Sequence, residues 1–442
     1  PRSRCWPNKM KARDIIIILL VFSVFSFIVF AQAIFNLGNF QDLKITEIFY
    51  LIGKLAGLTG FLCLSLLVFS GDTARFFDKF FGLDKIIKFQ RKFSLVSMIF
   101  ILLHPIFFIL STKSILPYVI PDFSVIPFAL GIISFYIFII ILIASKIYKL
   151  ISYTICQYSH LLTYVLFFFV LYHAFNWGSD SGQRSVRAIY LILLIAITSG
   201  IIYRTSYKLR QKYAGKFYVQ GIKFETKDTF TLTLKPEKPF IFKAGQFCFL
   251  RLNQDKLYAR HPFTVSSGPG EANLRFTFKL TGRFTKAMSL LKTGEEVIID
   301  GPYGIFNIED DNKNLVFMAG GVGITPFMSM IKDKLKDDKA QNVILLYGSK
   351  TKDDIIYRQE LDSLKTDWFK KVYVLSNDQA VANTNEYETG YVSQAIIKKY
   401  VREINNSLFY ICGPEPMKNS LQKILNQLGV KKRDIKIEDF FW

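Results

Sequence analysis

The 442-residue chain predicts three bodies in series: a six-helix membrane bundle, a small antiparallel β-barrel and an α/β domain on a parallel sheet. Three observations predict this. Long apolar runs are concentrated before Tyr213; short alternating strands with turn signals follow; the last third alternates buried strands, glycine turns and helical patterns. A composition of 51% hydrophobic and 21% charged residues with mean hydropathy +0.26 suits such a mixture. The expected boundaries are 1–213, 214–310 and 311–442.

The net charge of +21 is divided unevenly. Residues 1–213 carry 22 Lys and Arg against 8 Asp and Glu, and residues 214–442 carry 34 against 27. In the first part the cations flank apolar runs, as the positive-inside rule requires, so no nucleic-acid partner is expected. Cys5, Cys63, Cys156, Cys248 and Cys412 form no CxxC pair, which argues against a zinc site and against a disulfide framework. Disorder and collagen-like repeats are excluded by composition. Met10 is the first methionine, and residues 1–9 read as an upstream extension.

Six runs are long enough to cross about 30 Å of hydrocarbon: 15–35, 47–70, 93–111, 125–145, 157–177 and 187–207. Basic residues follow spans two (Arg75, Lys79, Lys85, Lys88, Arg91, Lys92), four (Lys146, Lys149) and six (Arg204, Lys208, Arg210, Lys212). The opposite loops hold chiefly Lys44, Lys113, Arg184 and Arg187. Both termini are therefore expected in the cytoplasm of an inner or plasma membrane protein, with the lipid bilayer as partner.

Histidines inside spans are costly and point to function. His160 and His173 stand 13 residues apart on span five, about 20 Å along the axis and roughly 220° around it, so they serve different leaflets. His104 lies near the outer end of span three. His104 and His173 suit the two axial positions of one b-type haem. The ordinary alternative is a packing histidine bonded to a neighbouring carbonyl.

Gln90-Arg91-Lys92-Phe93 through Leu103-His104-Pro105, and Ser159-His160 through Tyr172-His173, resemble the ferric reductase-like transmembrane domain of NADPH oxidases and ferric reductases. That family carries two histidines on span three and two on span five. Here Gln90 stands where the resemblance implies a histidine. Three outcomes follow: a five-coordinate inner haem on His160, a substitute ligand, or no inner haem. The third, which resembles the six-transmembrane metalloreductases, is the expectation here.

Beyond Tyr218, Thr229–Leu234 and Gln246–Leu250 read as strands of a small barrel. Arg260-His261-Pro262-Phe263-Thr264-Val265-Ser266-Ser267 resembles the flavin motif of the ferredoxin–NADP reductase superfamily. The resemblance implies Thr264 near flavin N5, Phe263 on the cofactor and His261 facing the pyrophosphate. Lys279-Leu280-Thr281-Gly282-Arg283-Phe284-Thr285 then opens an expected helix, Lys286 to Leu291, whose start would bind the FAD pyrophosphate. Gly301-Pro302-Tyr303-Gly304 supplies the closing turn.

Leu315–Ala319 reads as a buried strand, followed by Gly320-Gly321-Val322-Gly323-Ile324-Thr325-Pro326 and an amphipathic helix. Glycines admit a pyrophosphate to the backbone and the helix start supplies positive potential, as a nucleotide loop needs. Lys350, with Lys352, stands where the superfamily places cations for the NADPH 2′-phosphate. In Leu408–Pro414 the resemblance puts Cys412 beside the nicotinamide, with Gly413 and Pro414 forming the turn. Phe440, or else Trp442, matches the terminal aromatic that stacks on the flavin.

The resulting expectation is an NAD(P)H-dependent transmembrane oxidoreductase carrying FAD and haem b. Electrons would reach an external acceptor, oxygen or a ferric or cupric ion, through a single outer haem. Its rivals are a haem-free flavoprotein, a two-haem relay with a substitute ligand, and a transporter with a regulatory nucleotide domain.

Overall fold

The computed structural model describes residues 12–35, 43–147, 153–212, 215–252, 260–309, 313–336, 341–378 and 386–438. The His160 side chain, Phe440 and Trp442 lie outside this described set. The chain divides into two compact units, Pro1–Arg210 and Gln211–Trp442.

In the first unit the helices are α1 (Ala12–Phe35), α2 (Ile45–Asp72), α3 (Ala74–Phe81), α4 (Leu83–Thr112), α5 (Leu116–Val119), α6 (Ile126–Lys146), α7 (Tyr153–Trp177) and α8 (Arg184–Lys212). Among the described residues five helices (α1, α2, α4, α6 and α8) are long and apolar enough to cross a membrane. The described apolar stretch of α7, Leu161–Trp177, is shorter. The sixth expected span thus coincides with a helix whose apolar part is only partly described.

The bundle buries small and aromatic residues and turns aliphatic ones outward. Phe61 of α2 stacks on Phe167 of α7 and meets the edge of Tyr190 of α8, both at 5.6 Å. Ile16, Leu20, Ile99, Ile140 and Ile195 are exposed, the surface that lipid would cover. Gly53, Gly57 and Gly60 form one stripe on α2 facing α4, where an added Cβ would lie 3.3, 2.4 and 3.1 Å from α4 side chains. Such stripes let helices approach closely where hydrophobic driving force is absent.

The second unit begins with β1 (Phe217–Thr226), β2 (Thr229–Pro236), β3 (Phe247–Leu252), β4 (His261–Thr264), β5 (Leu274–Lys279), α9 (Arg283–Ser289) and β6 (Glu296–Tyr303). These strands pair in the order β4-β3-β6-β1-β2-β5. The two edges meet through one bridge, Val265 to Phe276. The pairing is that of an open sheet rather than a closed barrel, because β4 is four residues long and too short to continue the ladder to β5. The helix after Gly282 also starts earlier than expected, at Arg283 instead of Lys286.

The remaining elements are β7 (Asn314–Gly320), α10 (Thr325–Lys334), β8 (Val343–Ser349), α11 (Arg358–Ser363), β9 (Phe369–Leu375), β10 (Tyr387–Thr389), α12 (Gln394–Tyr400), β11 (Ser407–Cys412), α13 (Glu415–Gln427) and β12 (Ile435–Ile437). Their sheet is parallel, in the order β10-β9-β8-β7-β11-β12. Burial on both faces explains the continuous apolar strands Leu315–Ala319 and Leu408–Cys412.

Candidate functional site

In the membrane unit α2, α4, α6 and α7 wall a cavity of about 430 Å³. His104 of α4 and His173 of α7 face one another across it, with ring centroids 6.4 Å apart and planes at 78°. Nδ1 of His104 lies 2.8 Å from the Gly53 carbonyl oxygen, and Nδ1 of His173 lies 2.9 Å from that of Pro127. A carbonyl only accepts, so each Nδ1 carries the proton and each Nε2 keeps its lone pair for a metal.

The surrounding backbone is shaped around the two rings. A Cβ on Gly57 would sit 2.4 Å from His104 Nδ1, and one on Gly131 would sit 2.6 Å from His173 Nδ1. Acceptor and seat are four residues apart on both helices, Gly53 with Gly57 and Pro127 with Gly131. One turn of helix therefore supplies both the orienting carbonyl and the space beneath the ring. An iron about 2 Å from each of two axial imidazole nitrogens requires ring centroids roughly 6 Å apart. The residues fit a haem.

Gln90 does not join this pair. Its Nε2 donates to Ser70 Oγ at 3.0 Å, and it lies near Gly71 toward the other end of the bundle. There Asp72 accepts from Tyr164 at 2.5 Å and from Arg204 at 3.0 Å.

In the second unit the flavin motif lies on β4. The Phe284 ring is 4.3 Å from that of His261 and stacks on Phe263 at 5.9 Å, while Phe263 packs on Phe278. Thr264 is buried, and desolvation lowers the pKa of half-buried His261 below its ordinary 6.5. Arg260 instead pairs with Asp300 at 2.6 Å. Thr285 Oγ1 accepts the N–H groups of Thr281 and Gly282 at 3.1 and 3.2 Å, so those two donors are already engaged.

The nucleotide loop occupies the switch point of the parallel sheet. β7 connects through α10 to β8 on one side, while β11 lies on the other, and crevices of this kind hold ligands at the strands' carboxyl ends. Gly321 takes φ +55°, with open space where its Cβ would be. Gly320 and Gly323 serve packing: their Cβ atoms would lie 2.4 Å from Met417 Sδ and 2.3 Å from the Cys412 carbonyl oxygen. Gly413 closes against Gly320, and Pro414 precedes α13. Thr325 Oγ1 donates to the Val322 carbonyl at 3.1 Å, with Pro326 in the first turn of α10. Cys412 is fully buried, Lys350 is exposed, and Lys352 lies over the Tyr387 ring at 4.9 Å.

Comparison with known proteins follows the same order along the chain. Residues 56–171 match the ferric reductase like transmembrane component, 215–307 an FAD-binding domain and 317–423 the oxidoreductase NAD-binding domain. The chain belongs to the ferric reductase-like family. It is an integral membrane oxidoreductase of the NAD(P)H-dependent type, with domains for FAD and for the nicotinamide nucleotide.

Curated relatives of the flavoprotein part include a component of the Na(+)-translocating NADH-quinone reductase of Yersinia pestis (strain Pestoides F). It is 32% identical over 156 residues, which is 34% of this chain and 38% of the relative. The same component in Pasteurella multocida (strain Pm70) is 32% identical over 165 residues, 36% of this chain and 40% of that one. The chain thus spans less than half the length of these relatives. A ferredoxin NADP+ reductase structure from Neisseria gonorrhoeae superposes with TM-score 0.46 at 22% identity, covering 51% of this chain and 98% of that chain.

Within this ferric reductase-like chain the sequence pattern does not reveal the parts that hold the ligands. Gly53, Gly57 and Gly131 stand out only as small residues in apolar runs. Tyr347, whose hydroxyl donates to the Gly321 carbonyl at 3.0 Å, carries no motif at all.

Proposed function

We propose that this protein passes electrons from cytoplasmic NAD(P)H through FAD and one outer b-type haem to an external acceptor, oxygen or a ferric or cupric ion. The observation that carries the reading is the His104–His173 pair, both Nδ1 atoms bonded to carbonyls and both Nε2 atoms left for iron. FAD takes hydride as an electron pair and releases single electrons, and haem iron carries one at a time. The chain's own residues bind and orient these groups.

His104 and His173 are the two axial ligands. His160, its level lacking a histidine at Gln90, is the possible second-haem residue and holds none in this reading. His261, Pro262, Phe263, Thr264, Gly282, Phe284 and Thr285 form the flavin site, with Thr264 at the reactive edge. Gly320, Gly321, Gly323, Thr325 and Pro326 shape the nucleotide loop. Cys412, Gly413 and Pro414 lie beside the nicotinamide, and Phe440 is the aromatic that yields to it. Lys350 receives the 2′-phosphate of NADPH. Six spans, both termini in the cytoplasm, and a division at 213 and 310 complete the organisation.

Pyridine-haemochrome analysis of the purified protein tests this reading. About one haem per FAD is expected, with the Soret band lost in His104→Ala and His173→Ala and largely kept in His160→Ala. Two haems per FAD, half of them lost in His160→Ala, would establish the two-haem relay instead. No Soret band would leave a haem-free flavoprotein.

A further inference from the structure

The cavity that holds the two imidazoles also contains a buried ion pair. Lys54 Nζ lies 2.7 Å from Asp180 Oδ1, with side chains 7% and 6% exposed, and both line the cavity with His104 and His173. Lys54 stands three residues before Gly57 on α2, about 4.5 Å along the axis from the glycine beneath His104. Asp180 sits in the short turn that follows α7. Tyr50 backs the ammonium, its ring centroid 5.6 Å from Nζ.

Burying two charges in an apolar bundle is expensive, and apolar residues of similar volume would often serve stability as well or better. Charged groups inside membrane segments accordingly mark function. We infer that Lys54 and Asp180 are positioning residues that set the reduction potential of the haem in this cavity, acting in opposite directions. The inference rests on the haem reading above.

The physical argument is charge bookkeeping around one electron. Ferric bis-imidazole haem carries one net positive charge in its core, and ferrous haem carries none. One electron enters, no bond forms or breaks, and no proton is required. A nearby cation therefore favours the reduced core, and a nearby anion favours the oxidised one. In a low-dielectric cavity these effects reach further than in water. As a tight pair Lys54 and Asp180 largely cancel, so each contribution appears only when the other is removed.

The test is a dithionite redox titration of the full-length, haem-loaded protein, followed at the haem α-band. Lys54→Met is expected to lower the midpoint potential and Asp180→Asn to raise it. The double variant should return toward wild type. Haemochrome analysis of each variant verifies haem content first. Should Lys54→Met lose its haem, Lys54→Gln keeps a polar head without charge, and its midpoint should also fall. Unmoved potentials, or single variants shifting in the same direction, would overturn the inference and leave the pair a structural tie. Loss of haem in both Lys54 variants would do the same. A wild type with no haem band would overturn the haem reading, and this inference with it.

Discussion

His104 and His173 meet across the membrane cavity with ring centroids 6.4 Å apart, each on the carbonyl of the helix it packs against. The two seats are built alike, with acceptor and glycine one turn apart on α2 and again on α6. Ligand orientation therefore depends on residues that never touch iron.

A prediction follows for those glycines. Gly57→Ala and Gly131→Ala put a methyl 2.4 and 2.6 Å from the imidazole Nδ1 atoms and must push the rings off their carbonyls. Haem affinity should fall about 10-fold or more, as for other groups that orient metal ligands. Haem per FAD after extended washing is the measurement, and normal retention would show that the rings can shift without penalty.

How much of this is legible in the sequence depends on the kind of residue. His104, His173 and the Gly320–Pro326 loop are legible because ionisable residues in apolar runs and glycines after a buried strand break local rules. The orienting carbonyls of Gly53 and Pro127 are not, since every residue has a carbonyl and only packing selects which one faces a ring. The early start of α9 at Arg283 is obscured because the Thr285 hydroxyl, taking two N–H groups, caps the turn without an Asp or Asn. The open sheet escapes prediction because strand spacing reveals strands but not whether the edges join.

Gly321→Val should abolish nicotinamide binding while leaving FAD in place. Gly321 has open space for a side chain, so the effect arises at the ligand and in the backbone, where φ +55° costs a β-branched residue roughly 1–2 kcal/mol. Flavin reduction by NADPH under anaerobic conditions and flavin absorbance separate the two. Flavin loss would mean that this loop serves FAD.

Tyr347→Phe removes the hydroxyl that holds the Gly321 carbonyl and accepts the Ile356 N–H at 3.3 Å. One such bond is worth about 1 kcal/mol net. The dissociation constant for NAD(P)H should rise about 5-fold, measured by nucleotide titration, while FAD content is unchanged.

His261 sets a pH dependence. Desolvation lowers its folded-state pKa below 6.5, so at acid pH the unfolded chain binds a proton that the folded chain resists. Its contribution to stability is intact above about 6.5 and declines as pH falls through and below that value. Thermal unfolding of the flavin-depleted protein should show this slope, and His261→Phe should flatten it. Equal slopes in both proteins would assign the effect elsewhere.

The last prediction concerns Gln90, which lies 14 residues from His104 on α4, while Gly71 lies 14 residues from Gly57 on α2. The helices are joined by the short α3 and packed side by side, so equal steps of about 21 Å reach corresponding levels on both. Gln90 Nε2 is 3.8 Å from the Cβ position of Gly71, as the His104 ring is close over Gly57. The small seat is present at the second level, and the side chain above it is an amide bonded to Ser70 instead of an imidazole. Gln90→His should place an imidazole there with little steric cost, able to pair with His160 around a second iron. Haem per FAD should rise from about one toward two, with a second component in the redox titration. Gln90→Leu is the control, filling the same space without a ligand atom, and should leave the ratio at about one. A ratio unmoved by Gln90→His would mean that His160 is not available at that level, and that more than Gln90 separates this chain from a two-haem protein.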